Sequence, residues 1–245
     1  CLPVATTTDQ ALTTSAVPAI LRYFTKYGFF SDPFSTDITV APPIISSPPI
    51  SFAKVPCRVQ LTALQADVES LLQNSQVIEA WVDHVNKNDH RGGWDVLPLR
   101  CQRQHLQAHP ILQGFAIADG DDWENLPVLA RCPAIASIFN QLQCPIKAAR
   151  LMRLKAGAEI KPHRDHRLSI EYGEARLHVP IHTSAAVSFF VDDKEIPMRV
   201  GELWYFNADQ VHEVYNRGSE DRINLVLDCV ANEWLCEKIR VGVLQ

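Results

Sequence analysis

The sequence predicts a mainly β protein, a jelly roll with helices packed outside it. Three observations carry that prediction. From residue 146 onward the chain breaks into six short apolar/polar alternating segments. Turn residues (Gly157, Gly173, Asp192-Asp193, Gly201 and Gly218) stand between them. Helical spacing occurs upstream of residue 146, as at residues 61–72.

Taken in order, residues 61–72 carry apolar side chains at 61, 64, 68, 71 and 72, the spacing of one helix face. Residues 77–86 alternate in part and include Trp81, which predicts a strand. The polar, glycine-containing stretch 86–93 reads as a loop and 94–99 as a second strand. Residues 126–142 suit a helix, with Pro133 near its start or at a break, because proline cannot donate within a helix. The β segments then follow at 148–154, 175–181, 186–191, 202–206, 211–215 and 223–229. Short strands at this spacing build a sandwich or barrel, with a jelly-roll core at about 146–230.

Residues 1–55 differ in character. Thr6-Thr7-Thr8 and Thr13-Thr14-Ser15 are polar, residues 18–30 suit one short helix, and residues 41–56 hold five of the sixteen prolines. Proline at that density blocks helix and sheet ladders alike, so the stretch reads as an extended linker or strap ahead of a main domain spanning 56–245.

Composition narrows the function. The chain has 245 residues, 47% hydrophobic and 21% charged, enough to bury a substantial core. A net charge of −5 without a basic cluster argues against nucleic acid, whose phosphates demand grouped Lys and Arg. No run of 18 apolar residues exists, and Arg22 interrupts the best candidate, so a membrane span is not expected. Seven cysteines, an odd number with no Cys-x-x-Cys pair, read as reduced thiols of a cytoplasmic protein. The chain opens at Cys1, which we read as a trimmed or renumbered start in preference to a processed lipoprotein end.

The chemistry gathers in one constellation: His163-Arg164-Asp165, then His212, then Arg222 ten positions later. A histidine and a carboxylate at i and i+2 on an extended segment point the same way. His212 is expected to return from a strand opposite. Two imidazoles and one carboxylate on one face of a metal are the donor set of non-haem Fe(II) oxygenases, with positions left open for a cosubstrate and dioxygen. Arg222 opens an apolar strand and can bind the far carboxylate of 2-oxoglutarate, because a guanidinium stays charged when buried and binds carboxylates bidentately. Arg176 and His178, again at i and i+2, are placed to face the same cavity or else to form a cross-strand salt bridge. Trp204 and Phe206 are expected to pack the wall of the roll. His166 is expected to face away from His163, and His182 to be structural or solvent-facing.

These residues also carry a resemblance. Arg153-Leu154, Gly157, His163-Arg164-Asp165, Arg176-Leu177-His178-Val179-Pro180, Gly201-Glu202-Leu203-Trp204-Tyr205, His212, Asn216-Arg217 and Arg222 occur in the order and spacing of the aspartyl/asparaginyl β-hydroxylase family. Bacterial amino-acid hydroxylases grouped with that family are the nearer likeness. The resemblance spans roughly residues 77–234. It implies a double-stranded β-helix, Fe(II) and 2-oxoglutarate. It also implies iron ligands at His163, Asp165 and His212, and cosubstrate contacts at Arg176, His178 and Arg222. The family's animal peptidyl hydroxylase lacks the carboxylate ligand, so Asp165 points to the bacterial branch. Asp165 also speaks against halogenation, since related halogenases put a small residue there. The segments 84–88 and 92–94 resemble the family near the mouth of its active site.

The expected activity is hydroxylation of an amino acid, free or within a small peptide or natural product. Arg153, Arg164 and Arg167 are the candidate cations for its carboxylate. Peptidyl aspartyl/asparaginyl hydroxylation, a non-catalytic metal- or ligand-binding cupin and a zinc hydrolase are the competing readings; oligomeric state is left open.

Overall fold

The computed structural model describes residues 48–74, 77, 80–85, 87–114 and 120–243. The helix predicted at 18–30 lies outside them. Two antiparallel sheets face each other. The larger holds β1 (Phe52–Val55), β2 (Val82–Asp83), β4 (Trp94–Gln102), β5 (Trp123–Asn125), β6 (Ile146–Leu154), β8 (Glu174–His182), β11 (Leu203–Phe206) and β13 (Arg222–Val230). Its order is β1-β11-β8-β13-β6-β4-β2, with β5 also on β4. The smaller is ordered β10-β9-β12-β7-β3, from β3 (His90–Arg91), β7 (Glu159–His163), β9 (Val187–Val191), β10 (Lys194–Glu195) and β12 (His212–Asn216). This is the jelly roll that the alternating segments predict.

The period of two explains how the larger sheet serves two cores. On β13, Ile223, Leu225 and Leu227 face the helices, where they meet Leu177 and Leu151. Val226 faces the smaller sheet with Met152, Phe206, Phe189 and Val214. Arg222, Asn224 and Asp228 share the parity of Val226, so the strand delivers three buried polar side chains into the roll.

Three longer helices cover the outer face. Leu64, Val68 and Leu71 of α1 (Leu61–Leu72) recur at helical spacing and are buried. Asp67 on the same face accepts the Ala134 and Ile135 N–H groups at 2.8 and 3.0 Å, capping α3 (Pro133–Phe139). A short helix, α2 (Pro110–Gln113), lies between them in sequence. In α4 (Glu233–Gly242), Asn232 caps the start by accepting the Leu235 N–H at 3.0 Å. Its Gly242 sits so close to β1 that a Cβ there would collide with the Lys54 carbonyl. Gly242→Ala is therefore expected to lift the last turn of α4 off β1. The expected cost is about 1–3 kcal/mol by overpacking, read as a lower urea midpoint with an unchanged slope.

Several predicted elements differ. The linker does not run unbroken to residue 56, because Phe52–Val55 pair with β11 as an edge strand. Edge strands tolerate flanking prolines because one side of the backbone needs no ladder partner. The strand predicted at 77–86 shrinks to Val82–Asp83, with Val77 helical. The helix predicted at 126–142 is split at Pro133 into a 3-10 turn, Pro127–Arg131, and α3, with proline in the first-turn position it tolerates. β4 runs past its predicted end at 99 through Pro98 to Gln102, and its register against β6 shifts between Pro98 and Arg100.

Candidate metal centre

His163 closes β7 and His212 opens β12, and the two are direct partners across the ladder. They thus come from opposed, adjacent strands of the smaller sheet. Opposed antiparallel residues project to the same side, which brings the imidazole centroids to 4.2 Å. Asp165 stands two residues beyond the end of β7 rather than on it. Its N–H donates to Ala208 O at 2.8 Å. Asp209 pins the same turn by accepting from Arg167 N at 2.8 Å and Arg164 Nη2 at 3.0 Å. The turn places Arg167 in the left-handed region at φ 63°, and Asp165 swings back under the two histidines. The ligand atoms of His163, Asp165 and His212 all lie within 4.8 Å of one another.

The outer bonds orient the donors. His163 Nδ1 lies 2.8 Å from Lys161 O and His212 Nδ1 lies 3.0 Å from Gln210 O. A backbone carbonyl only accepts, so each Nδ1 carries the proton and each Nε2 keeps its lone pair for a metal. Burial, and then the neighbouring His163, push the His212 pKa down to about 3. Burial pushes Asp165 upward, but Arg176, His163 and His212 together outweigh it and hold the carboxyl below its ordinary value. Two imidazoles and a carboxylate are a donor set that fits a first-row divalent metal.

Behind Asp165 lies a chain of buried charge. Arg176 Nη1 donates to Asp165 Oδ2. Its Nε donates to Asp228 Oδ1 at 2.7 Å and its Nη2 to Asp228 Oδ2 at 3.2 Å. Arg150 Nη1 reaches Asp228 Oδ2 at 2.8 Å. Arg176 lines the cavity, yet any cosubstrate carboxylate meeting it must share a guanidinium already engaged by two carboxylates. Both readings of Arg176, cavity wall and cross-strand salt bridge, describe it.

The His163–Asp165–His212 cluster, a group that could hold a metal ion, opens into a cavity. Arg222 and His178 line it with Phe189, Phe206, Met152 and Val214. Trp204 and Phe206 both belong to the apolar cluster inside the roll, and Phe206 also lines the cavity. Arg222 is 5% exposed, and burial lowers its pKa to about 10. Its guanidinium stacks 5.6 Å over Phe189. With the Asn224 amide oriented to satisfy its neighbours, its oxygen accepts from Arg222 Nη2 at 2.7 Å and from His178 Nδ1 at 3.3 Å. His178 Nε2 is buried without a hydrogen-bond partner among the described residues. Burial first, then Arg222 and Arg176, keep that imidazole neutral. Arg222 likewise has no carboxylate in salt-bridge reach among the described residues. The cavity therefore holds a buried cation, a fit for an anionic ligand, while His178 Nε2, whose neutral ring carries its proton on Nδ1, is left to accept a hydrogen bond.

In the lining, buried His84 stacks on buried Trp94 at a centroid separation of 3.4 Å, and Asp89 joins them. The three candidate cations for a substrate carboxylate are placed elsewhere. Arg153 forks onto Asp95 at 2.9 and 2.6 Å and covers Trp81. Arg164 meets Asp209, Arg167 lies over Tyr172, and none of the three lines the cavity.

The profile of the aspartyl/asparaginyl beta-hydroxylase family matches residues 59–232. The chain belongs to this family. Among curated proteins, L-proline cis-4-hydroxylase of Rhizobium meliloti (strain 1021) is 28% identical over 83 residues, 34% of this chain and only 29% of that protein. Among solved structures, a 2OG-Fe(II) oxygenase family oxidoreductase from Burkholderia pseudomallei matches at 13% identity and a TM-score of 0.44, covering 75% of this chain and 86% of that one. A Pseudomonas putida prolyl-4-hydroxylase matches at 10% identity and a TM-score of 0.41, covering 74% and 93%. No helix among the described residues is long and apolar enough to cross a membrane.

Proposed function

We propose that this chain is an Fe(II)- and 2-oxoglutarate-dependent dioxygenase that hydroxylates an amino acid, or an amino-acid residue of a small peptide or natural product. One observation carries the reading: the His163–Asp165–His212 ligand set opens into a cavity that also holds Arg222, a buried cation without a carboxylate partner among the described residues. His163 Nε2, His212 Nε2 and Asp165 would hold the iron. Arg222 would hold the far carboxylate of the keto acid, with His178 Nε2 and Arg176 beside it. Iron and 2-oxoglutarate supply the oxidising chemistry when bound: decarboxylation to succinate and carbon dioxide, coupled to placing one atom of dioxygen in a substrate C–H bond.

The chain's own contribution is ligation, orientation and dryness. Met152, Phe189, Phe206 and Val214 exclude water from the cavity, which strengthens the interaction of Arg222 with an anion. The family points to an amino-acid unit as substrate, and the named relative acts on L-proline, a free amino acid. A cytoplasmic site of action is in keeping with the free thiols of the six described cysteines.

Anaerobic titration with Fe(II) and then 2-oxoglutarate is expected to produce a weak visible charge-transfer band in the intact protein. Admitting oxygen with an amino-acid library should then release succinate in excess for the true substrate. A band without succinate from any amino acid or short peptide leaves a non-catalytic cupin. Absence of the band in metal-loaded protein sinks the oxygenase reading.

A further inference from the structure

Two buried charges that touch neither metal nor cavity hold the metal ligand Asp165 in its pose. We propose that Asp228 and Arg150 are positioning residues: they fix Arg176, and Arg176 fixes which oxygen of Asp165 is presented to the metal. The inference rests on the proposed metal centre and deepens it.

Register makes the arrangement. Asp228 of β13 pairs directly with Arg176 of β8, and Arg150 of β6 pairs with Val226, one diagonal step from Asp228. All three project into the roll by the period-of-two rule. Arg150 is 0% exposed, Asp228 2% and Asp165 3%. The Arg176 fork closes on both oxygens of Asp228 through Nε and Nη2, which leaves Nη1 aimed at Asp165 Oδ2. With Oδ2 held, Asp165 meets a metal with one oxygen rather than as a freely turning pair.

Charge alternates along the chain: Arg150 positive, Asp228 negative, Arg176 positive, Asp165 negative. Burial pushes Asp228 upward, but Arg150 and Arg176 hold it well below the usual carboxylate range, so it is ionised whenever the protein is folded near neutrality. Buried ion pairs of this kind rarely add stability over well-packed apolar residues. Their contribution here is geometric, because each bond constrains the next side chain and the last one constrains a ligand. Outer partners of metal ligands typically carry 10–100-fold of metal affinity.

Co(II) titration of apoprotein tests this without turnover, reading both affinity and the visible ligand-field spectrum. Asp228→Asn, which keeps shape and removes charge, is expected to weaken Co(II) binding about 10–100-fold and to alter the spectrum. Arg150→Met leaves the Asp228–Arg176 fork in place and should shift both in the same direction by less. A folded variant with unchanged affinity and spectrum overturns the proposal. Should Asp228→Asn fail to fold, Arg150→Met decides by the same readings. Failure of the wild-type protein to bind Co(II) at all would instead defeat the metal centre itself.

Discussion

His212→Ala is expected to abolish hydroxylation while leaving the fold intact. The ladder bonds of β12 to β7 and β9 are made by backbone, so the strand stays in place when the ring is removed. What disappears is one of three ligands converging within 4.8 Å. The loss of metal affinity should exceed the roughly 10–100-fold that an outer partner carries, and succinate formation should fall to background.

The same variant has a signature in the apoprotein. The buried His212 takes up its proton only at about pH 3, whereas the unfolded chain takes it up near the ordinary 6.5. Between those values the unfolded state binds more protons, so wild-type stability falls as pH drops. At pH 5 this costs the folded state about 2 kcal/mol. His212→Ala removes that cost. The stability of the variant relative to wild type should therefore rise from pH 7 toward pH 4, measured by urea unfolding without metal. A pH-independent difference would mean that the ring is not buried as described.

Legibility in the sequence followed burial pattern. β8 and β13 were readable because alternating apolar residues face the helix-side core along their whole length. β7 went unlisted, since Glu159–His163 buries one residue of five fully and shows no alternation. Placing His163 and Asp165 on one strand was the natural reading of i and i+2. The turn that carries Asp165 depends on Asp209, 44 positions away, and no local rule reveals that bond. Arg150 and Asp228 were missed for a related reason. Their link to Arg176 exists only once the register of β6, β13 and β8 is set. One signal was available: Arg222, Asn224 and Asp228 share a parity on an otherwise apolar strand, as Arg176 and His178 do. Polar residues of one parity inside a doubly buried strand mark an interior site, because each must be satisfied there. The three substrate-cation candidates failed on the opposite ground. Arg153, Arg164 and Arg167 are near the motif in sequence but spend their charge on Asp95, Asp209 and Tyr172.

The second large effect belongs to Arg222, and it splits function from stability. Arg222→Met is expected to weaken 2-oxoglutarate binding to the metal-loaded protein by about 30-fold or more. Truncating one partner of a buried charged pair costs about 2–5 kcal/mol, with about 1.4 kcal/mol per factor of ten. Arg222→Lys should fall between, keeping the charge but losing the planar fork. The apoprotein is expected to move the other way. Burial drops the Arg222 pKa from 12.5 to about 10, a cost on the order of a few kcal/mol for holding the charged form in the fold. That cost is fully present below pH 10 and is relieved only as pH rises through it, so it applies throughout the neutral range. Methionine fills a similar apolar volume against Phe189 without the cost, and the melting temperature of apo Arg222→Met should rise by a few degrees. Adding 2-oxoglutarate to the metal-loaded proteins should then raise the melting temperature of wild type by more than that of the variant, since a ligand stabilises a protein according to how tightly it binds. Equal ligand-induced shifts in both proteins would show that the keto acid does not use this end of the cavity.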